Sequence, residues 1–117
     1  NFISILILNS LFFLIYLYII LYLTSRSYSM SSMVIYTGHL CGYCSMAKKL
    51  LKSKNIDFEE INIHDQYDKK KEMVELSGGR VSVPQIFYGG QHIGGCDDLY
   101  NMEHAGELDI IIKKEMD

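Results

Sequence analysis

A long apolar run at the start of this chain divides it into two parts that must fold in different ways. Residues 2–23 read FISILILNSLFFLIYLYIILYL and contain no charged side chain. As a helix rising about 1.5 Å per residue, this run would extend roughly 33 Å, which is enough to cross a bilayer. The chain has 117 residues, so it has room for one soluble domain at most, and that domain must follow the run.

Three interpretations of residues 1–32 remain open. This segment starts with Asn1 and is rich in residue types that AT-rich codons encode, as upstream DNA translated in frame would be, with Met30 or Met33 as the true start. Alternatively it is a membrane anchor, in which case Arg26 and the later lysines place the rest of the chain in the cytoplasm. A secretory signal peptide is disfavoured, because a basic start and a small-residue cleavage site are lacking. We expect a mis-assigned start and a cytoplasmic protein.

The remaining part, residues 33–117, is mildly acidic. All fourteen acidic side chains and all but one of the eleven basic ones lie there. This balance argues against nucleic acid as a partner, because phosphate contacts need clustered Lys and Arg. The one dense basic run, 69–71, is followed by Glu72 and Glu75, which is typical of a solvated helix face.

The pattern of residues 33–63 predicts a strand, a helix and a second strand. Residues 33–37 are short, apolar and β-branched, as in a buried strand, and 57–63 alternate between polar and apolar residues. Between them, apolar residues recur at helical spacing in a segment ending near Asn55. The predicted buried face of this helix consists of Tyr43, Met46, Ala47, Leu50 and Leu51. A right-handed crossover would make the two strands parallel.

The second half alternates short elements with glycine punctuation. Asp65 is expected to cap a helix over 66–76 that ends at Gly78-Gly79. Residues 85–95 contain two short strands around a glycine pair, which is a hairpin signal. Short helices are predicted at 96–104 and from 107 onward. The predicted order is β-α-β-α-β-β-α, with room for one more helix.

Cys41 and Cys44 have the spacing and setting of a redox couple. They follow a predicted strand and open a helix, where free N–H groups and the helix dipole favour a thiolate. Cys41 would attack a disulfide, and Cys44, one turn on, would resolve the mixed disulfide. A zinc site built from the same two cysteines with His92 and Cys96 is the alternative. His39 is either an assisting base or, as we favour, an exposed loop histidine.

A second group of residues is expected to form the rest of a binding site. Pro84, the only proline, opens a strand, and a proline before a hairpin is a candidate for a cis peptide bond. In GGCDD, two glycines precede a helix whose N–H groups would bind a carboxylate, and Asp97 would bind an ammonium group. A site that binds both a carboxylate and an ammonium group suits the end of an amino acid, where both groups occur. An ordinary helix-capping turn has the same sequence pattern.

Taken together, these segments resemble a glutaredoxin over residues 33–117. The resemblance is carried by VIYTGHLCGYCSMAKKLL, by VSVPQIFYGGQHIGGCDDLY and by the strand order between them. It implies an α/β thioredoxin fold, with a central four-stranded mixed sheet flanked by helices. It also implies a glutathione-dependent enzyme that reduces protein disulfides and glutathione mixed disulfides, with glutathione as electron donor.

The resemblance also implies a role for individual residues. Cys41 is the implied nucleophile and Cys44 the resolving thiol, and Pro84 would be a cis proline facing the disulfide. The implied glutathione-binding residues are Tyr43, Val83, Pro84, Gly95, Cys96 and Asp97. Cys96 would contribute mainly backbone, and no resident metal is implied for the enzyme.

Two positions depart from the family pattern. Gly38 stands where the family usually has a lysine that binds a glutathione carboxylate. Arg80 is a candidate to take over the role of that lysine. Gly42 stands where the family usually has proline, which loosens the start of the helix. Similar departures go with a two-iron, two-sulfur cluster held between two chains by Cys41 and two glutathiones. The alternative function is therefore a cluster carrier acting as a homodimer, whereas the enzyme is expected to be a monomer.

Overall fold

The computed structural model describes residues 2–27 and 32–116, and the chain forms two compact units, Asn1–Met30 and Ser31–Asp117. In the first unit, α1 (Phe2–Ser27) is apolar around its circumference and its described side chains are exposed. Its segment Phe2–Leu23 is the one span among the described residues long and apolar enough to cross a membrane, and signal sequences share these features. Met30, one of the two proposed start residues, lies outside the described residues.

The second unit contains a four-stranded mixed sheet in the order β2-β1-β3-β4. The strands are β1 (Met33–Thr37), β2 (Glu59–Asn62), β3 (Gln85–Tyr88) and β4 (Gln91–Gly94). Strand β1 pairs parallel with β2 and antiparallel with β3, and β3 pairs antiparallel with β4. These pairings confirm the predicted mixed sheet and bring four chain ends to one edge: the ends of β1, β2 and β4 and the start of β3.

Four helices flank this sheet. They are α2 (Gly42–Ser53), α3 (Tyr67–Leu76), α4 (Cys96–His104) and α5 (Glu107–Met116). The additional C-terminal helix is therefore present, and Gly106 (φ 75°) makes the turn before it. Gly89 and Gly90 both have positive φ, which is the backbone conformation that a two-residue hairpin turn requires.

Apolar side chains on the two faces of the sheet form two core clusters. One contains Met33 and Ile35 of β1 together with Ala47, Leu51, Ile86, Leu99 and Leu108, so it joins the sheet to α2, α4 and α5. The other contains Tyr36, Ile61, Ile63, Met73 and Phe87 and joins the sheet to α3. Because β1 alternates between these clusters, it is fixed on both faces, and this fixes the loop that follows it.

The structure corrects the predicted buried face of α2. The buried side chains are Cys44, Ala47 and Leu51, whereas Tyr43 is 62% and Met46 is 47% exposed. The spacing of residues 44, 47 and 51 is as helical as the predicted one, because a cysteine that carries chemistry can also belong to the buried face of its helix. The error matters for function, because it leaves Tyr43 facing outward beside the cysteine pair.

The predicted cap of α3 is also wrong. Gln66 is the residue that precedes the helix, and its side chain makes no capping hydrogen bond. The carboxylate of Asp65 instead lies 2.8 Å from Nε2 of His39, across the loop that follows β1. Asp65 therefore ties two loops together.

Candidate active site

Cys41 and Cys44 lie where the loop after β1 turns into α2. Cys41 is the residue immediately before the helix, and its sulfur accepts a hydrogen bond of 3.1 Å from the backbone N–H of Cys44. A disulfide joins the two residues, with their Cα atoms 5.2 Å apart. Cys44 is buried and Cys41 is half-buried, so Cys41 presents the accessible sulfur. Its place at a helix N-terminus is one where free N–H groups and the dipole stabilise an anion.

Pro84 lies next to this pair because β1 and β3 are antiparallel. The Val83–Pro84 peptide bond is cis, as the resemblance implied, and Pro84 is buried. The sulfur of Cys41 lies 3.8 Å from the carbonyl oxygen of Val83. The segment before β3 therefore forms one wall beside the disulfide and presents backbone groups there.

The start of α4 forms the opposite wall. Gly94 has a φ of 126°, and a Cβ there would collide with the side chain of Asp98. Asp98 accepts a hydrogen bond of 2.8 Å from the N–H of Gly95, and Arg80 lies 3.5 Å from the same carboxylate oxygen. Asp97 is exposed, and among the described residues no side chain forms a hydrogen bond or ion pair with it. This carboxylate is therefore available to a ligand.

Cys96, the third cysteine, is buried behind this wall. Burial raises the pKa of the Cys96 thiol, and the negative charge of Asp97 raises it further. At neutral pH the thiol is therefore protonated and a poor nucleophile, because the thiolate is the reactive form. This fits a residue that contributes backbone rather than chemistry.

A groove of about 350 Å³ runs between these walls. The structure brings together in its lining every residue that the sequence assigned to glutathione binding: Tyr43, Val83, Pro84, Gly95, Cys96 and Asp97. Arg80, Ser82 and Asp98 also line the groove. Ser82 and Asp98 were not predicted to do so, although Asp98 belongs to the GGCDD segment that indicated a ligand-binding helix start.

The four proposed zinc ligands do not assemble. Nε2 of His92 lies 2.7 Å from the side-chain oxygen of Gln85, and burial lowers the pKa of this histidine. Among the described residues, no group of three or more His, Cys, Asp and Glu side chains could hold a metal ion. His39 is exposed, as favoured from the sequence, and is paired with Asp65 rather than left free as a base.

One residue near the site had no signal in the sequence. His64, just beyond β2, accepts a hydrogen bond of 2.7 Å on Nδ1 from the backbone N–H of His39. The pairing of β1 with β2 brings these loops together, since the N–H of Ile63 bonds the carbonyl of Thr37. A loop histidine that acquires its neighbours only through strand pairing cannot be found from local spacing.

Comparison with known proteins gives one consistent result. The family model described as Glutaredoxin matches residues 33–93. The chain is 49% identical over 84 residues to Glutaredoxin 3 of Escherichia coli strain K12, covering 72% of this chain and all of that protein. It is 43% identical over 83 residues to a glutaredoxin of Pseudomonas aeruginosa, covering 71% of this chain and 98% of that one.

Solved structures agree. The solution structure of glutaredoxin from Brucella melitensis matches with a TM-score of 0.61 at 47% identity, covering 71% of this chain and 89% of that one. The crystal structure of a buckwheat glutaredoxin–glutathione complex matches with a TM-score of 0.65 at 29% identity, covering 71% of this chain and 77% of that one. The similarity extends over the second unit, which contains the groove.

Proposed function

This chain belongs to the glutaredoxin family, and on that premise we propose that it is a glutathione-dependent enzyme that reduces protein disulfides and glutathione mixed disulfides. Its paired cysteines fit the broader class of thiol–disulfide oxidoreductases. The observation that carries the proposal is the Cys41–Cys44 disulfide at the start of α2, beside a groove lined by Pro84 and the start of α4.

The reaction begins with the two cysteines reduced. The Cys41 thiolate attacks one sulfur of the target disulfide, a new S–S bond forms to Cys41, and the other sulfur leaves as a thiolate that takes up a proton. In the dithiol route, Cys44 gives up its proton and attacks Cys41, which releases the second sulfur and leaves the disulfide seen here. Two glutathione molecules then return both electrons and become glutathione disulfide.

A glutathione mixed disulfide needs only Cys41. The thiolate attacks the glutathione sulfur, and the target protein leaves as a thiol. The thiolate of a second glutathione then attacks the sulfur of the bound glutathione, which forms glutathione disulfide and releases Cys41 as a thiolate. Because Cys41 is the more exposed sulfur and Cys44 is buried, the structure supports this order of attack. The dipole of α2 would stabilise the Cys41 thiolate each time it leaves.

The groove would hold glutathione in an extended conformation. The free N–H groups at the start of α4, at Cys96 and Asp97, suit the α-carboxylate of the γ-glutamyl residue. The unpaired carboxylate of Asp97 suits the ammonium group of the same residue. Val83 would pair its backbone with the cysteinyl residue, and the exposed ring of Tyr43 would flank it.

A cluster-bridged homodimer is the second candidate. Within the part of the chain that the structure describes, no group of three or more His, Cys, Asp and Glu side chains could hold a metal ion, so a cluster would take its ligands from more than one molecule. Two Cys41 thiolates and two glutathiones would be required. The favouring feature is Gly42, because a Cβ built there has no atom within 4 Å, so the segment carrying Cys41 is open on that side. This candidate stays a prediction.

We place the enzyme in the cytoplasm as a monomer, with disulfide-containing and glutathionylated proteins as its substrates. The cytoplasm supplies the reduced glutathione that the reaction consumes. The unit 33–117 is proposed to carry the whole activity.

The proposal is tested with a glutathionylated peptide that contains no other cysteine. Its reduction by the purified chain is followed with glutathione, and in parallel with free cysteine at the same concentration. We expect rapid turnover with glutathione but not with cysteine, because the groove would bind the γ-glutamyl group, which cysteine lacks. Equal rates with both thiols would mean that the groove does not recognise glutathione.

A further inference from the structure

The order of the strands places His64 at one end of the active-site edge of the sheet. In the order β2-β1-β3-β4, the adjoining residues at this edge are His64 after β2, Gly38 after β1, Val83 before β3 and Gly95 after β4. Val83 and Gly95 line the groove. His64 therefore lies beyond the Val83 end of the groove, on the side away from α4.

Contacts around Gly38 show how closely His64 approaches this end. A Cβ built on Gly38 would lie 2.7 Å from Cε1 and 3.0 Å from Nδ1 of His64, and 3.3 Å from Cγ2 of Val83. The imidazole and the valine side chain thus meet around the space that a side chain at position 38 would occupy. The absence of a side chain on Gly38 is what admits the ring.

Hydrogen bonds fix the position of the ring and of its proton. Nδ1 of the His64 ring accepts a hydrogen bond from the backbone N–H of His39, and the backbone N–H of His64 donates to the side-chain oxygen of Asn62 at 2.9 Å, which holds the loop that bears the ring. In a neutral imidazole whose Nδ1 is an acceptor, Nε2 carries the proton. Among the described residues, no group forms a hydrogen bond or ion pair with Nε2 of His64, so this N–H is an exposed donor without an acceptor.

Neighbouring polar groups do not compete for this role. Nε2 of His39 is engaged by Asp65, and the guanidinium of Arg80 faces Asp98 at the α4 end of the groove. His64 therefore offers an exposed N–H at this end, oriented by the hydrogen bond that its ring accepts.

We infer that His64 is a specificity-determining residue that donates a hydrogen bond to the glycyl carboxylate of glutathione. The inference rests on the proposed function. If the α4 end binds the γ-glutamyl group and the ligand sulfur meets Cys41, an extended tripeptide directs its glycyl carboxylate towards the Gly38–His64 end. A donor whose ring is held by the hydrogen bond from the His39 N–H recognises a carboxylate there with little loss of side-chain entropy.

The test compares binding of two unreactive ligands to the full chain. S-methylglutathione carries the glycyl carboxylate, and S-methyl-γ-glutamylcysteine lacks that residue. We expect His64→Ala to weaken S-methylglutathione binding roughly tenfold, as befits loss of a hydrogen bond to a charged group. Binding of the dipeptide should change less than about twofold, because it lacks the glycyl carboxylate to which His64 would donate. His64→Gln, which keeps an N–H donor, should restore part of the lost affinity.

His104→Ala is the matched control, because this exposed histidine lies at the far end of α4. Equal weakening of both ligands by His64→Ala, or no weakening of either, overturns the inference while leaving the proposed function intact. Failure of the unsubstituted chain to bind S-methylglutathione overturns the proposed function and this inference with it.

Discussion

At the scale of single residues, the two sulfurs of the active site differ mainly in what surrounds them. Cys41 stands before the first turn of α2 with its sulfur 3.1 Å from the N–H of Cys44, whereas the side chain of Cys44 belongs to the buried face of the helix. An accessible sulfur at a helix N-terminus is suited to attack, and a buried sulfur within reach of it is suited to resolve a mixed disulfide.

We therefore predict different effects from removing each sulfur. Cys41→Ser should abolish reduction of both protein disulfides and glutathione mixed disulfides, because it removes the attacking thiolate. Cys44→Ser should abolish only the dithiol route and keep mixed-disulfide reduction within roughly tenfold, because glutathione can resolve Cys41. Steady-state rates on the two substrate types measure this. Equal loss in both variants with the mixed disulfide would contradict the assignment of roles.

The third cysteine gives a prediction that depends on pKa. Because burial and Asp97 raise the pKa of Cys96, its thiolate fraction at neutral pH is below that of an ordinary cysteine. In the reduced, folded protein, iodoacetamide at neutral pH should label Cys41 and spare Cys96, as read by peptide mass. Strong denaturant should expose all three cysteines to labelling and serves as the control. Labelling of folded Cys96 as fast as Cys41 would show that Cys96 is reactive.

At the scale of elements, local patterns predicted most of the fold. Strand β1 and helix α4 match their predicted bounds, and β2 and α3 differ only at their ends. Local patterns gave wrong predictions where contacts between distant segments determine which side chains are buried or paired. Helix α2 buries Cys44 because the sheet lies on that side, and Asp65 pairs with His39 because β1 and β2 are neighbours. The groove residues were predictable from short motifs, whereas the position of His64 depends on a contact between separate loops.

The start of α2 carries the prediction that separates the two candidate functions. Gly42 is the first residue of the helix, Cys41 before it is extended (ψ 101°), and a Cβ on Gly42 would meet no neighbour within 4 Å. Proline is favoured at this helix position and tolerates an extended residue before it. Gly42→Pro should therefore raise the free energy of unfolding by about 0.4–1 kcal/mol, through a less flexible unfolded chain.

The same substitution should leave disulfide reduction intact but prevent cluster binding, because a stiffer segment holds Cys41 towards the groove rather than towards a second chain. Visible absorption and native mass after anaerobic reconstitution with iron, sulfide and glutathione measure this. Gly78→Pro is the control for a harmful proline, since Gly78 has a φ of 71° that proline cannot adopt. Equal cluster uptake by the unsubstituted chain and by Gly42→Pro would show that Gly42 does not determine cluster binding. If the unsubstituted chain also binds no cluster and stays colourless, the cluster-carrier function is excluded.

At the scale of the whole molecule, the folded unit supplies its own core. The buried members of both core clusters lie between Met33 and Leu108, on the sheet and its flanking helices. The groove lining lies within the same range. We predict that residues 33–117 alone fold, with a thermal midpoint and mixed-disulfide activity close to those of the full chain. A large loss of either would show that residues 1–32 contribute to the domain.

Where the protein resides in the cell is a separate prediction, because α1 has the length and composition of a membrane span but also of other apolar segments. The proposed reaction consumes reduced glutathione, which the cytoplasm supplies. We predict that cells contain this enzyme in the soluble cytoplasmic fraction, as a chain that begins at Met30 or Met33. Fractionation with alkaline carbonate washing, followed by the mass of the recovered protein, measures both properties, and a chain expressed from Met33 is the soluble control.

If the intact chain instead stays in the washed membrane pellet and detergent releases it, Phe2–Leu23 is an anchor. Protease treatment of sealed vesicles would then show which side bears the groove, which Arg26 and the lysines beyond it predict to be the cytoplasmic one.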